Sequence, residues 1–227
     1  LYFLLIKFAY LVMDFPQISE IDINPYVLDS HGGLALDARV VLTDPSNLVA
    51  KHLVISPYPQ QWVKDVKLKK GEPAQLRPIR PEDEPAMFRF LEGVSSESMY
   101  MRFFGFVPQF THNLMTKFVN IDYDREMAIV ATVEKEGQEE IMGVVRIIED
   151  AWRETAEYSI LISDHWHGQG LGNLLTDYIL EIGRTRKIKK IVATVLSSYA
   201  AMIHIFQRRG FEFDRKEVGS YEVELEL

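Results

Sequence analysis

Between His165 and Gly172 the chain reads HWHGQGLG, a spacing that can hold a phosphate. Gly168, Gly170 and Gly172 let the backbone turn tightly and come close to a ligand. Before them stands an apolar run, AEYSILIS, from Ala156 to Ser163. After them Leu171, Leu174, Leu175, Tyr178, Ile179 and Ile182 recur at helical spacing and make one apolar face. A strand, a glycine turn and a helix in that order leave the first-turn N–H groups of the helix unpaired, at the positive end of its dipole. A pyrophosphate fits such a place.

Other constellations compete for attention. His165 and His167 form an HxH pair, yet no third zinc ligand is evident, and the glycine turn accounts for the segment better. Glu20, Asp22 and Asn24 alternate along one predicted strand and so project from one face. Centring the following turn between Ser30 and His31 pairs Asn24 with Asp37, an oxygen cluster of the kind Mg²⁺ takes. A solvated hairpin face is the favoured reading of that cluster, and no metal is assigned. Tyr100, Phe103, Phe104, Phe106 and Phe110 read as helix packing over the sheet, with the acceptor entrance as a second role. Asp122, Asp124, Arg125 and Glu126 read as a charged, solvated turn.

The elements that must position these residues fall into two parts. Residues 1–54 predict a helix ending near Asp14, because Pro16 disfavours helical geometry at Phe15, and then a hairpin, Ile18–Leu28 with Leu34–Leu42. Residues 55–75 mix prolines with Lys64, Lys67, Lys69 and Lys70 and read as a linker. From Leu76 to Leu227 a second domain is expected. It has a short strand, helices near 81–91, 95–104 and 111–119, and an antiparallel pair around Gly137. The strand 156–163, the glycine turn and its helix follow, then a buried strand 191–196, a helix 200–209 and two last strands.

The 227 residues allow one or two domains. A net charge of −8 argues against nucleic acid, whose phosphates need an excess of Lys and Arg. The absence of cysteine rules out thiolate nucleophiles and disulfides and suits a reducing, cytoplasmic compartment. The opening run LYFLLIKFAYLVMDF is too short for a membrane span, carries Lys7, and lacks the features of a signal peptide. No membrane partner is therefore expected. The run reads as a buried helix of a domain cut upstream.

The order of elements around HWHGQGLG resembles the GNAT acetyltransferase superfamily. Gly170 and Gly172 match the glycines of the family motif, with His167 where Gln or Arg is usual. VLSSYAAMIHIFQRRGFE, Val195 to Glu212, matches the second motif in layout. It puts Tyr199 at the usual Asn and Phe206 where many members have a catalytic Tyr. RPIRPEDEP, SSESMYMRFF and IDYDREMAIVA look like bacterial Pat-type protein lysine acetyltransferases. EIDINP and GGLALDARV resemble the end of the ATP-grasp domain of NDP-forming acyl-CoA synthetases, where the residues matching Asn24 and Asp37 bind the nucleotide's magnesium. The implied fold class is α/β: a GNAT domain with a mixed, mainly antiparallel sheet flanked by helices, preceded by a partial ATP-grasp-like α+β segment.

The resemblance implies acetyl-CoA as donor. Its pyrophosphate would sit on the amides of His167, Gly168, Gln169, Gly170, Leu171 and Gly172, its pantetheine along Ile162 and Ser163 as an added strand, and Tyr199 would pack on it. The acceptor would be a lysine ε-amine on a protein, with an acyl-CoA synthetase as one candidate. Such an amine, of pKa ~10.4, arrives protonated. A general base must take its proton, and Glu157 fills that place by analogy with the AE-plus-apolar strand of histone-type members. Glu126 and Glu149 are the substitutes. Phe206 cannot protonate the leaving thiolate, and a thiol pKa of ~8.5 makes an acid dispensable. Two rivals are a small-molecule amine acetyltransferase and a non-catalytic acetyl-CoA-binding module of a synthetase. NDP-forming ligation would need further upstream domains.

Overall fold

The computed structural model describes residues 2–15, 17–29, 32–43, 56–69, 71–105, 109–135, 137–150 and 154–227. Internal contacts divide the chain into two units, Leu1–Ile55 and Ser56–Leu227. In the first, α1 (Tyr2–Asp14) ends where expected, its last bond running from the Phe15 N–H to the Leu11 carbonyl. β1 (Ile18–Ile23) and β2 (Tyr26–Leu28) return as β3 (Gly33–Ala35) and β4 (Ala38–Leu42). β1 pairs with β4 and β2 with β3, both antiparallel. Asp22 lies opposite Arg39, and the Asn24 N–H donates to the Asp37 carbonyl at 3.2 Å, the register read from the sequence. The turn residues Ser30 and His31 lie outside the described residues. Glu20 is held by Arg39 at 2.9 Å. No cluster of three or more His, Cys, Asp or Glu able to hold a metal ion occurs among the described residues.

The second unit is built on an eight-stranded sheet. Its strands are β5 (Lys64–Lys67), β6 (Pro73–Pro78), β7 (Glu126–Lys135), β8 (Gln138–Glu149), β9 (Thr155–Ile162), β10 (Lys190–Leu196), β11 (Glu212–Glu217) and β12 (Ser220–Glu226). They lie in the order β11-β12-β10-β9-β8-β7-β6-β5. Only β9 and β10 run parallel; every other pair is antiparallel. The crossover between them is α5 (Leu171–Thr185), as a parallel connection requires. α5 and α6 (Ala200–Gln207) cover one face, where Leu175, Ile179, Ile182 and Phe206 pack on Met127, Ile147 and Tyr158. α2 (Glu84–Glu92), α3 (Ser96–Phe103) and α4 (His112–Val119) belong to the other, where Met87, Leu91, Met115 and Val119 pack on Ala128, Val130 and Leu161. Strand alternation thus sends Tyr158 to one core and Leu161 to the other. Each fully buried Leu, Ile or Met stabilises the fold by roughly 1.5–3 kcal/mol.

The stretch read as a linker is a correction. From Ser56 onward it belongs to the second unit, and β5 and β6 pair antiparallel at the sheet edge. Edge strands tolerate the lysines that suggested a solvated linker, because one side of an edge faces water. Trp62 packs edge-on against Tyr178 at 6.2 Å, and the Tyr178 hydroxyl donates to the Trp62 carbonyl. Among the described residues no helix is long and apolar enough to cross a membrane.

Candidate active site

The parallel strands β9 and β10 part company. Their ladder runs from Thr155–Lys190 to Glu157–Val192 and stops. Hydrogen bonds at both ends of the β8–β9 ladder fix which residues point where: Asp150 N–H to Thr155 O and Ser163 N–H to Met142 O. Odd-numbered residues of β9 therefore bond to β8, and Ile160 and Ile162 turn their main-chain groups towards β10. The same reasoning on β10 and β12 leaves Thr194 facing β9. Beyond Glu157 these edges meet no partner strand. Half-buried main-chain groups need one, so the gap is a ready template for an added strand. A cleft opens in this gap, bordered by Glu157, Ile160, Ile162, Thr194, Tyr199 and Arg102.

At the wide end of the gap lies the glycine turn. Gly168 has φ +72° and Gly170, the N-cap of α5, has φ +86°, a left-handed geometry that favours glycine. The amides from Gly168 through Asn173 donate to no acceptor among the described residues, so they stand available to an anion at the positive end of α5. Three expected details differ. The His167 N–H is spent on the Asp164 carbonyl, at 3.2 Å, closing a short 3-10 turn. The Ser163 N–H is spent on Met142, so an added strand would pair with Ile160 and Ile162 instead of Ser163. Gly172 matters for packing: a Cβ there would lie 3.0 Å from Ile205 Cδ1 and 3.3 Å from Ile162 Cδ1. Leu171 contributes only main chain, its side chain being buried in the core. His167 Nε2 sits 3.0 Å from the Ile162 carbonyl and donates to it. Gln169 Nε2 donates to the His165 carbonyl, while its Oε1 is buried without a partner.

Two neighbours of the turn were not foreseen. The side chain of Lys69, from the supposed linker, lies over Gly170, so that a Cβ on that glycine would meet Lys69 Cε at 2.7 Å. Asp164 accepts from the Ser95 N–H at 2.8 Å, from Ser95 Oγ at 2.7 Å and from Ser98 Oγ at 2.7 Å. Burial opposes its ionisation, but these hydrogen bonds outweigh it and hold the carboxyl down to about 2. Ser95 also caps α3, its Oγ accepting from the Ser98 N–H. The turn is thereby tied to the start of α3.

Three carboxylates were candidates for the base, and their surroundings separate them. Glu126 is paired with Arg146, which also donates to the Phe118 carbonyl. Glu149 is buried and paired with Arg186 at 2.8 Å. Among the described residues Glu157 is the carboxylate that borders the cleft, at the point where the strands part, and it makes no hydrogen bond or ion pair. It shares its sheet face with Ser159, under the helices α2 to α4. Tyr199 is half-buried at the start of α6, and burial pushes its hydroxyl pKa up, so it stays a donor at neutral pH. Phe206 is buried and edge-on to Tyr158 at 5.5 Å. The Tyr158 hydroxyl is engaged with Thr176 at 2.8 Å. Of the aromatic group, Phe103 and Phe110 pack in the core below α3 and α4, Phe104 borders the cleft, Tyr100 is exposed, and Phe106 lies outside the described residues.

The acetyltransferase (GNAT) family model matches residues 95–211, just over half of the chain, and these include the parted strands, the glycine turn and α5. The chain belongs to the GNAT acetyltransferase family. It is an acyltransferase with the family's α/β fold, a mixed sheet flanked by helices, and family members use acetyl-CoA. The crystal structure of the GNAT domain of S. lividans PAT superposes with a TM-score of 0.68 at 30% identity, covering 75% of this chain and all of that domain. An acetyltransferase of Pseudomonas aeruginosa is 25% identical over 71% of this chain and 86% of its own length. The acetyltransferase Pat of Mycolicibacterium smegmatis is 26% identical over 71% of this chain, a match spanning 48% of that protein. At the other end, residues 1–42 match the ATP-grasp domain family.

Proposed function

We propose that this GNAT domain moves acetyl from acetyl-CoA to the ε-amine of a protein lysine by direct attack, with Glu157 as general base. The observation that carries the reading is the conjunction at the strand gap: main-chain edges of Ile160 and Thr194 and the N–H of Ile162 without a partner strand, free amides from Gly168 to Asn173, and one unpaired carboxylate at the vertex. The amides and Lys69 suit the pyrophosphate, and the β9 edge suits the pantetheine amides, which would lie as an added strand. That path points the thioester towards Glu157. The lysine ammonium would give its proton to Glu157, directly or through one water. The neutral nitrogen then attacks the carbonyl carbon, and an N–H of the open β9 edge meets the oxyanion. Collapse expels the CoA thiolate, and the second proton of the nitrogen passes to that thiolate, directly or through Tyr199 or water. Tyr199 is the protonated hydroxyl at hand; Phe206 has nothing to give.

The lysine acceptor is supported by the segments resembling Pat-type enzymes and by the likeness to the S. lividans PAT domain. Residues 1–54 are read as the end of an ATP-grasp-like region placed before the transferase domain. The test incubates the protein and acetyl-CoA with lysine-bearing acceptors, an acyl-CoA synthetase among them, and with free amines. Thiol release is followed while peptide mass spectrometry locates the acetyl group. Acetyl on a defined lysine is the expected result. Turnover on free amines alone would reject the lysine reading, and binding of acetyl-CoA with no turnover would reject the enzyme.

A further inference from the structure

Among the described residues, the inward-facing arginines of the second unit come paired. Arg77 makes two 2.7 Å bonds to Asp83 and one of 2.8 Å to Glu139. Arg146 is held by Glu126, Arg186 by Glu149, and Arg209 by Asp177 and Asn173. Arg102 is the exception. It is half-buried in the last turn of α3, its guanidinium 5.0 Å from the centre of the Phe103 ring, and it makes no hydrogen bond or ion pair with any described residue.

Its position gives this meaning. Arg102 borders the cleft beside Glu157 and also a smaller cavity lined by Leu91, Phe118, Arg146 and Ser159. Burial, and the like charge of Arg146, lower its pKa from the usual arginine value, while Glu157 acts the other way. It remains a cation at neutral pH. Glu157 already offers an arriving ammonium an anion, so the guanidinium beside it, which has no partner of its own, is left to meet a negative group that the acceptor brings. Guanidinium forks match carboxylates in geometry, and such bonds are among the stronger polar contacts.

We propose that Arg102 forms an anion subsite for the acceptor, so that the preferred substrate carries a carboxylate close to the amine that is acetylated. On a protein this is a lysine with an Asp or Glu neighbour. The inference rests on the acceptor cleft assigned above and names what that cleft selects. Glu157 faces the amine and Arg102 the carboxylate, a pairing that orients the acceptor as well as holding it.

The test uses matched peptides, one with Glu beside the lysine and one with Gln there, and free amino acids bearing a carboxylate, on the wild type and on R102Q and R102K. The wild type should favour the acidic peptide in kcat/KM by ~10–100-fold, mainly through KM. R102Q should bring that ratio close to one, and R102K, which keeps the charge without the fork, should fall between. Thermal melting checks that each variant folds. Equal use of both peptides by the wild type overturns the subsite and leaves lysine acetylation standing. An R102Q defect of equal size on both peptides, confined to kcat, also overturns it and makes Arg102 a positioning residue for Glu157. If no peptide is acetylated but free amino acids are, with a KM that depends on Arg102, the lysine reading falls and the subsite holds.

Discussion

Replacing Glu157 by Gln removes the proton acceptor and changes little else. Near pH 7.4 a lysine of pKa ~10.4 is neutral in about one part in a thousand. A positioned base typically recovers ~10²–10⁴ in rate, equal to ~2.7–5.4 kcal/mol of barrier. The structure argues for the upper part of that range. Glu126 and Glu149 are both engaged by arginines and neither borders the cleft, so no second carboxylate stands ready to take over. The fold should be spared, since Glu157 is exposed and makes no hydrogen bond or ion pair; surface changes of this kind stay within about ±0.5 kcal/mol.

The assay is kcat against pH on a lysine peptide at saturating acetyl-CoA. E157Q should be slower than wild type by ~10³–10⁴ near neutrality. The gap should close as the pH approaches that of the free amine, because neutral nucleophile then forms without help. The two profiles converge if Glu157 is a base. A ratio that stays constant across the range means that Glu157 acts by placing the acceptor. A near-wild-type rate at pH 7.4 would refute its role altogether.

Three other substitutions probe the scaffold. G172V places methyl groups against Ile205 and Ile162, already 3.0 and 3.3 Å from a lone Cβ, and should lower stability by about 1–3 kcal/mol in urea unfolding while weakening acetyl-CoA binding. R186A strips the partner from buried Glu149 and should cost about 3 kcal/mol, with the wild-type pH–rate profile unchanged because Glu149 does not border the cleft. Asp164 has a folded pKa of about 2, below the ordinary value of ~3.9. Its contribution is complete above the ordinary value and lost as pH falls through about 2. D164N should therefore flatten the acid limb of stability in that window, and at neutral pH should cost roughly 1 kcal/mol after solvent screening.

The strand, glycine turn and helix were legible because their signals are local: three glycines in five residues, an apolar run before and a 3.6-residue period after. The hairpin register in the first unit was legible for the same reason, since one assumed turn centre fixes the pairs from Glu20–Val41 inward, up to the bulge between Ile18 and Glu20. What stayed hidden depends on partners far away in sequence. The gap between β9 and β10 comes from where two strands stop sharing hydrogen bonds, which no run of residue types announces. The amides of Ser163 and His167 looked free and are engaged, because the Met142 and Asp164 carbonyls accept them. Lys64 and Lys67 signalled a linker, when an edge strand bears lysines equally well. Arg102 lies within MYMRFF, where residue type alone does not single it out; only the pairing of the other inward-facing arginines marks it.

The two halves of the proposed site differ in how they answer to sequence. The donor side rests on main chain: amides from Gly168 to Asn173 and the open edge at Ile160 and Ile162. Side-chain identity at Tyr199 alters neither, whereas His167 reaches the open edge through its bond to the Ile162 carbonyl. The acceptor side rests on charged side chains, Glu157 from β9 and Arg102 from α3. Substitutions on α3 can therefore change which amine is taken without disturbing the donor. The bond network from Asp164 to Ser95 and Ser98 is the link between them, because it joins the glycine turn to the helix that carries Arg102. If that link positions Arg102, D164N should shrink the preference for the acidic peptide while leaving acetyl-CoA affinity near wild type. Loss of both together would place the link within the donor platform itself.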